Sequence, residues 1–189
     1  MKTLRPAAIL LAIGALTSVG CTAKNLDFST LEKPARASEL SAYDIFVGQW
    51  DWEAEMVNAA EADKKWSGTA QWSWILDNRC LHGSMSAKNV HVSFEASGIW
   101  SWHPKSKKYI WWMFNNWGYP QNGTASYDSA ARRWKMPFTS IGLDGTTSHG
   151  LYTMKVVDDD TLDWTLIEWA DGLHMIKKSE MRGTYKRRQ

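Results

Sequence analysis

The chain has 189 residues, a formal net charge of +2 and a hydrophobic content of 44%. That length suits one globular domain with an appendage, and a mean hydropathy of −0.42 excludes a polytopic membrane protein. The charged fraction of 22% and the aromatic fraction of 13% exclude a disordered or collagen-like chain. Thirteen tryptophans are far above ordinary usage and are the strongest compositional signal.

Residues 1–20 have the pattern of a secretory signal peptide. Lys2 and Arg5 supply positive charge, and the apolar stretch from Ala7 to Val19 is too short to span a membrane. Removing the two basic residues leaves 20 basic and 20 acidic residues in the chain. We therefore predict no nucleic-acid partner, because no excess of positive charge would recruit one.

Cys21 ends a segment, Ser18-Val19-Gly20-Cys21, that resembles a bacterial lipobox. The resemblance implies that Cys21 becomes the lipidated first residue of the mature chain. The alternative is ordinary cleavage near Ala23, which leaves no lipid and lets Cys21 pair with Cys80 in an oxidising envelope. We predict the lipidated form, anchored to a membrane in the bacterial cell envelope and facing the periplasm or the outer surface.

Residues 21–43 are predicted to be the tether of the lipid anchor and a short helix. Residues 22–37 mix charged, small and proline residues, which is typical of a solvated spacer. From residue 38 onward, Leu40, Tyr43 and Phe46 recur at three-residue spacing, which predicts one or two helical turns packed on the domain. The domain itself is predicted over residues 44–189.

From residue 48 onward the apolar residues alternate with a period of two, which indicates strands with one buried face. Trp50, Trp52, Ala54 and Met56, for example, share one face of the first strand. Similar runs, separated by short polar turns, continue to the C-terminus. The predicted strands start near residues 48, 66, 81, 94, 109, 123, 134, 150, 162 and 173.

Ten regularly spaced strands with no amphipathic helix between them predict an all-β antiparallel meander. We favour closure into a barrel over a sandwich, because an open meander leaves two edges prone to aggregation. The strand Tyr109–Phe114 is apolar on both faces. We expect it to lie centrally, or beneath a covering segment such as the helix around Tyr43.

A resemblance to a known family is carried by four segments, which are Phe46–Trp50, Trp74–Arg79, Gly98–Tyr109 and Lys177–Arg187. The first contains the Gly-x-Trp opening of calycin barrels. Over roughly residues 44–188 the chain resembles the uncharacterised bacterial lipocalin-like domain-of-unknown-function family 1579. Asn78 and His103 depart from the pattern of this family, in which glycine and aspartate are commoner. The resemblance implies the barrel and no mechanism, because the family carries no established catalytic residues.

The interior of the barrel is the predicted site. A barrel of this size is either filled by side chains or holds one small ligand, and the sequence leaves both options open. For a hollow barrel, the residues expected to line the cavity are Trp50, Trp72, Trp74, Trp100, Trp102, Trp112, Trp134, Trp164 and Glu168. Met136 and Met154 are expected to be adaptable fillers. Glu168 either points inward, where it needs a partner such as Arg182, or lies in water at the rim of the barrel.

The predicted partner is a small hydrophobic or amphipathic molecule, and two other functions stay open. Trp117 and Tyr119 could stack on sugar rings, which would make the protein a carbohydrate- or envelope-interacting module. Glu168 with a histidine could instead serve an isomerase or hydrolase. The five histidines occur singly, without metal-ligand spacing, so we predict no metal, no cofactor and no catalytic residue.

Overall fold

The computed structural model of the protein describes residues 32–170 and 172–189. The predicted signal peptide and Cys21 lie outside these residues. Residues 35–189 form one compact unit, which holds the whole barrel. Across the described residues, no helix has both the length and the apolar character that a membrane span requires.

The protein is an all-β antiparallel barrel, as the sequence predicts. Ten strands follow one another around the barrel in chain order, and the last pairs with the first. They are β1 (Gly48–Met56), β2 (Lys65–Ile75), β3 (Cys80–Lys88), β4 (Ser93–His103), β5 (Lys108–Asn115), β6 (Gln121–Asp128), β7 (Arg133–Ile141), β8 (Thr147–Asp158), β9 (Thr161–Trp169) and β10 (Lys177–Arg187). A 3₁₀ helix, Ser38–Phe46, precedes β1, and a 3₁₀ turn, Glu61–Asp63, links β1 to β2.

The prediction that the strand now numbered β5 lies centrally or beneath a cover is wrong. In a closed barrel every strand has two neighbours, so none is central. The outward face of β5 is exposed, with Trp112 at 46% and Phe114 at 61%. The helix around Tyr43 packs at one end of the barrel instead, where Tyr43 is buried.

Inward-facing glycines make room for inward-facing rings. A Cβ atom on Gly83 would lie 2.3 Å from the indole Nε1 of Trp72, and one on Gly183 would lie 2.7 Å from the indole ring of Trp164. Small and large residues therefore alternate around the inner wall, as they do in other small barrels. As a result, the rings lie against the strands and leave part of the lumen free.

One end of the barrel is closed by the 3₁₀ helix and a packed aromatic floor. Tyr43 and Phe46 project from the helix into the barrel and are buried. Tyr43 stacks on the fully buried Trp134, with 4.7 Å between ring centroids and 6° between ring planes. The indole N–H of the fully buried Trp50 donates a hydrogen bond to the carbonyl oxygen of Phe46 at 2.8 Å. Side chains therefore fill this end of the lumen.

Arg187, on the last strand, fastens the helix to this floor. Its guanidinium lies 4.2 Å above the ring of Trp50 and donates hydrogen bonds to the carbonyl oxygens of Ile45 and Val47. A Cβ atom on Gly48 would lie 2.8 Å from this guanidinium, and the φ angle of Gly48 is +128°. The positive φ favours glycine here, and a side chain at this position would displace the guanidinium that fastens the helix, so the Gly-x-Trp segment serves to close this end of the barrel.

Candidate functional site

A cavity of about 850 Å³ lies between the floor and the opposite end of the barrel. We call that opposite end the mouth; it is formed by the connections β1–β2, β3–β4, β5–β6, β7–β8 and β9–β10. Pockets for small molecules have volumes of about 300–1,000 Å³. The barrel is thus filled at one end and hollow at the other. The sequence leaves open a filled barrel and a hollow one, and each description applies to one part of the lumen.

The cavity wall is mainly aromatic and apolar. Its inward rings belong to Trp52, Trp66, Trp72, Phe94, Trp100, Trp111, Phe138, Tyr152, Trp164 and Tyr185. Flexible thioether side chains lie between the rings, from Met56, Met85, Met113, Met136, Met154 and Met181. Methionines adapt their shape to irregular neighbours. A wall of this kind fits a ligand with an apolar body.

Four of the nine predicted lining residues lie on the cavity wall, namely Trp72, Trp100, Trp164 and Glu168. Trp50 and Trp134 lie beneath the cavity, in the floor, and are fully buried there. They face inward as predicted, but their depth along the barrel places them below the free volume.

Trp74 and Trp102 also lie at the closed end, outside the cavity wall. The indole N–H of Trp74 donates a hydrogen bond to the carboxylate of Asp44 at 2.9 Å, which ties β2 to the 3₁₀ helix. Trp102 packs edge-on against Tyr109, with 4.9 Å between ring centroids. Both tryptophans therefore stabilise the closure of the barrel.

The prediction that Trp112 lines the cavity is wrong. Trp112 faces outward on β5, and Trp111 takes the inward position. Because β5 is apolar on both faces, alternation alone does not show which face is inside. The signal that identifies the inward face is the preceding hairpin, in which Trp102 pairs with Tyr109. An inward Trp102 makes Tyr109, and with it Trp111, inward as well.

Trp52 and Tyr152 belong to the wall and are absent from the predicted set. Trp52 packs edge-on against Trp164 at 5.8 Å between centroids, and Tyr152 stacks on Trp164 at 5.4 Å. The Tyr152 hydroxyl donates a hydrogen bond to the Tyr185 hydroxyl at 3.5 Å. Sequence alternation contains the signal for Trp52, because this residue shares a face with Trp50.

Two buried tyrosines link the stability of the barrel to alkaline pH. Burial raises the pKa of Tyr185 to about 12, and burial raises the pKa of Tyr43 well above its ordinary value. The ordinary pKa of a tyrosine is about 10. Because the folded pKa exceeds the unfolded pKa, the stability that Tyr185 contributes is complete below pH 10 and is lost as the pH rises toward 12.

We expect Tyr185→Phe to weaken this pH dependence. A difference of two pKa units corresponds to about 2–3 kcal/mol of unfolding free energy at pH 12. Raising the pH from 10 to 12 should therefore lower the thermal unfolding midpoint of the wild type more than that of the variant. Curves that stay parallel over that range would show that Tyr185 titrates normally.

The polar residues of the inner wall form one arc at the mouth. The inward residues at the mouth ends of β5 to β10 are Asn115, Gln121, Ser140, Ser148, Glu168 and Ser179. Cross-strand pairing places Gln121 next to Ser140, Ser140 next to Ser148, and Ser179 next to Glu168. The equivalent positions of β1 to β4 are apolar, namely Met56, Trp66, Ala87 and Phe94. We call the first set the polar arc; it gives the mouth a polar side formed by six strands and an apolar side formed by four.

Glu168 is held in the polar arc by two serines. The Ser148 hydroxyl donates a hydrogen bond to Oε1 at 2.7 Å, and the Ser179 hydroxyl lies 3.4 Å from Oε2. The Lys178 ammonium lies 4.0 Å from Oε1 and is largely exposed. The prediction that Arg182 is the partner of Glu168 is wrong. The guanidinium of Arg182 instead donates a hydrogen bond to the outward carboxylate of Glu180 at 2.6 Å.

Trp117 and Tyr119 lie at the mouth, on the β5–β6 connection, and both border the cavity. Trp117 packs edge-on against Phe94 and Tyr119, and its indole N–H donates a hydrogen bond to the carbonyl oxygen of Ser93 at 3.2 Å. The side chain of Leu143, on the β7–β8 connection, lies against Gly118 of the β5–β6 connection. These two connections narrow the entrance to the cavity.

None of the five histidines lines the cavity, and all five lie within the described residues. His149 faces outward between the inward residues Ser148 and Gly150, near His174. In the described part of the chain, no group of three or more His, Cys, Asp or Glu side chains is placed to hold a metal ion. The alternative function, an isomerase or hydrolase that uses Glu168 with a histidine, therefore finds no histidine on the cavity wall that carries Glu168.

No protein-family model matches the chain, and no curated protein matches it either. Among solved structures, it is similar to the crystal structure of Rv2717c from M. tuberculosis, with a TM-score of 0.60 and 12% identity over 82% of this chain and 100% of that chain. It is also similar to a de novo designed fluorescence-activating beta barrel, with a TM-score of 0.43 and 13% identity over 78% of this chain and 97% of that chain. At this identity, the likeness to Rv2717c shows the barrel fold alone, and membership of family 1579 stays a prediction.

Proposed function

We propose that this protein binds a small apolar or amphipathic molecule in the barrel cavity and acts as a binding protein. The observation that carries the proposal is the hollow half of the barrel, with about 850 Å³ of free volume behind an aromatic and thioether wall. The packed floor beneath it gives the cavity a rigid base. The polar arc gives the cavity one end where a polar group of the ligand can be hydrated or hydrogen-bonded.

The expected affinity follows from the apolar wall. A ligand that buries about 400 Å² of apolar surface gains about 10 kcal/mol. Lost translational and rotational freedom offsets several kcal/mol of this gain. The remainder corresponds to a dissociation constant in the micromolar range.

The test uses N-phenyl-1-naphthylamine, a neutral dye that fluoresces in apolar surroundings. We expect saturable binding with one dye per barrel, accompanied by energy transfer from the wall tryptophans. Native mass spectrometry of protein purified without detergent should also show a bound small molecule that the dye displaces. Dye fluorescence that never saturates would contradict the proposal.

We further propose that the barrel is secreted and held at a bacterial membrane by a lipid on Cys21. The support is the sequence pattern of residues 1–21, with a basic start, a short apolar stretch and a terminal cysteine. In cells fed a radiolabelled fatty acid, the wild type should take up label, and a Cys21→Ser variant should not. The matched control is Cys80→Ser, which should keep the label. Unlabelled wild type, recovered in soluble form after cleavage near Ala23, would support the alternative.

A further inference from the structure

The polar arc divides the rim of the cavity and so defines which way an amphipathic ligand lies. Six consecutive strands, β5 to β10, present polar side chains at the mouth, and the other four present apolar ones. Deeper in the lumen, the wall is formed by rings and thioethers. An amphipathic molecule therefore gains most with its apolar body toward the floor and its polar group against the arc.

The charged groups on the cavity wall favour a cation at this position. Among the described residues, those that border the cavity with a charge are Asp144, Glu168 and Lys178. Two carboxylates thus border the cavity with one ammonium, and the Asp144 carboxylate accepts hydrogen bonds from the backbone N–H and the hydroxyl of Thr146. Lys178 is 58% exposed and lies 4.0 Å from the Glu168 carboxylate, a geometry in which an ion pair contributes little.

Glu168 also keeps hydrogen-bonding capacity for a ligand. Its carboxylate has about four acceptor positions, and Ser148 fills one with a short hydrogen bond. Ser179 lies farther away, at 3.4 Å. Only 19% of the Glu168 side chain is exposed, so a donor that enters from the lumen meets a fixed and partly desolvated carboxylate.

We propose that the ligand class is an amphipathic amine, whose ammonium group takes the place of the Lys178 ammonium at Glu168 while its apolar body occupies the cavity. This inference rests on the proposed function and adds the charge of the polar group to it. A ligand carboxylate at the same position would meet the Glu168 carboxylate and would be repelled. A neutral alcohol would accept or donate one hydrogen bond without the charge attraction.

The experiment is displacement of N-phenyl-1-naphthylamine by three molecules that share one chain, which are decylamine, decanol and decanoate. At pH 7 and physiological salt, decylamine should displace the dye at a concentration about 10- to 100-fold lower than decanoate, the range expected for one charge-assisted hydrogen bond. Decanol should fall between them. Equal potency of the amine and the carboxylate would overturn the amine inference, and the proposed function would stand because the dye still binds.

The variant Glu168→Gln tests whether Glu168 causes the preference for the amine over the carboxylate. Glutamine keeps the shape and can still accept from Ser148, so the amine-to-carboxylate ratio should fall to within about threefold. The matched control is Glu55→Gln, which removes an exposed outward carboxylate near the mouth and should keep the full ratio. A ratio that persists in Glu168→Gln would overturn the inference, whereas the absence of saturable dye binding in the wild type would overturn the proposed function itself.

Discussion

Replacing Trp134 with alanine should lower the free energy of unfolding by about 3–5 kcal/mol, the range for removing a fully buried aromatic side chain. Trp134 is fully buried in the floor. Its indole packs against four rings, with centroid distances of 4.7 Å to Tyr43, 4.9 Å to Tyr109, 4.7 Å to Tyr127 and 5.7 Å to Phe46. The substitution therefore leaves a cavity between the helix and the strands, where the closed end is fastened.

The measurement is urea unfolding followed by tryptophan fluorescence, with the thermal midpoint as a second readout. For a domain of this size, the expected loss lowers the midpoint by roughly 6–20 °C. The matched control is Trp112→Ala, which removes the same ring from the outer face and should cost less than about 1 kcal/mol. Equal losses for the two variants would show that Trp134 does not anchor the floor.

Filling the cavity with Met113→Trp and Leu166→Trp together should weaken dye binding by about 100-fold. Met113 and Leu166 lie on the wall, on β5 and β9, and both are only partly buried because they face the free volume. Two added indoles occupy space that the ligand needs. A ligand kept from about 100 Å² of apolar wall loses about 2.5 kcal/mol, which is close to two orders of magnitude in affinity.

The control places the same two indoles on the outer face, as Phe114→Trp with Ile167→Trp. These positions are the outward neighbours of the filled ones. This variant should bind N-phenyl-1-naphthylamine like the wild type, and both variants should show cooperative unfolding. Dye binding that survives filling of the cavity would place the dye on the outer surface, for instance on the exposed apolar patch that Ile99, Trp112 and Phe114 form.

Several features of the closed end follow from local sequence. The three-residue spacing of Leu40, Tyr43 and Phe46 predicts the helix, and all three residues are buried. The Gly-x-Trp segment predicts the start of β1. The approach of the Arg187 guanidinium to Gly48, from the far end of the chain, becomes visible only when β1 and β10 are paired.

The last predicted strand shows where local patterning fails. The sequence predicts its start near Leu173, and β10 begins at Lys177. Leu173, Met175 and Ile176 are apolar, yet 63 to 83% of each side chain is exposed on the β9–β10 connection. Apolar composition predicts a strand, but these residues lie on the connection beyond the end of β9 at Trp169.

By itself, the sequence determined the class of fold, because a two-residue alternation of apolar side chains is a local property of each strand and edge pairing favours closure. It also placed most of the tryptophans on the inner face. The tertiary structure alone decided the depth of each ring along the barrel, which separates the floor residues Trp50 and Trp134 from the wall residues Trp72, Trp100 and Trp164. It also assembled the polar arc and gave Glu168 its partners. The depth of each ring and the assembly of the polar arc depend on the stagger of neighbouring strands and on the helix that closes one end. Both are determined by contacts between residues far apart in the chain.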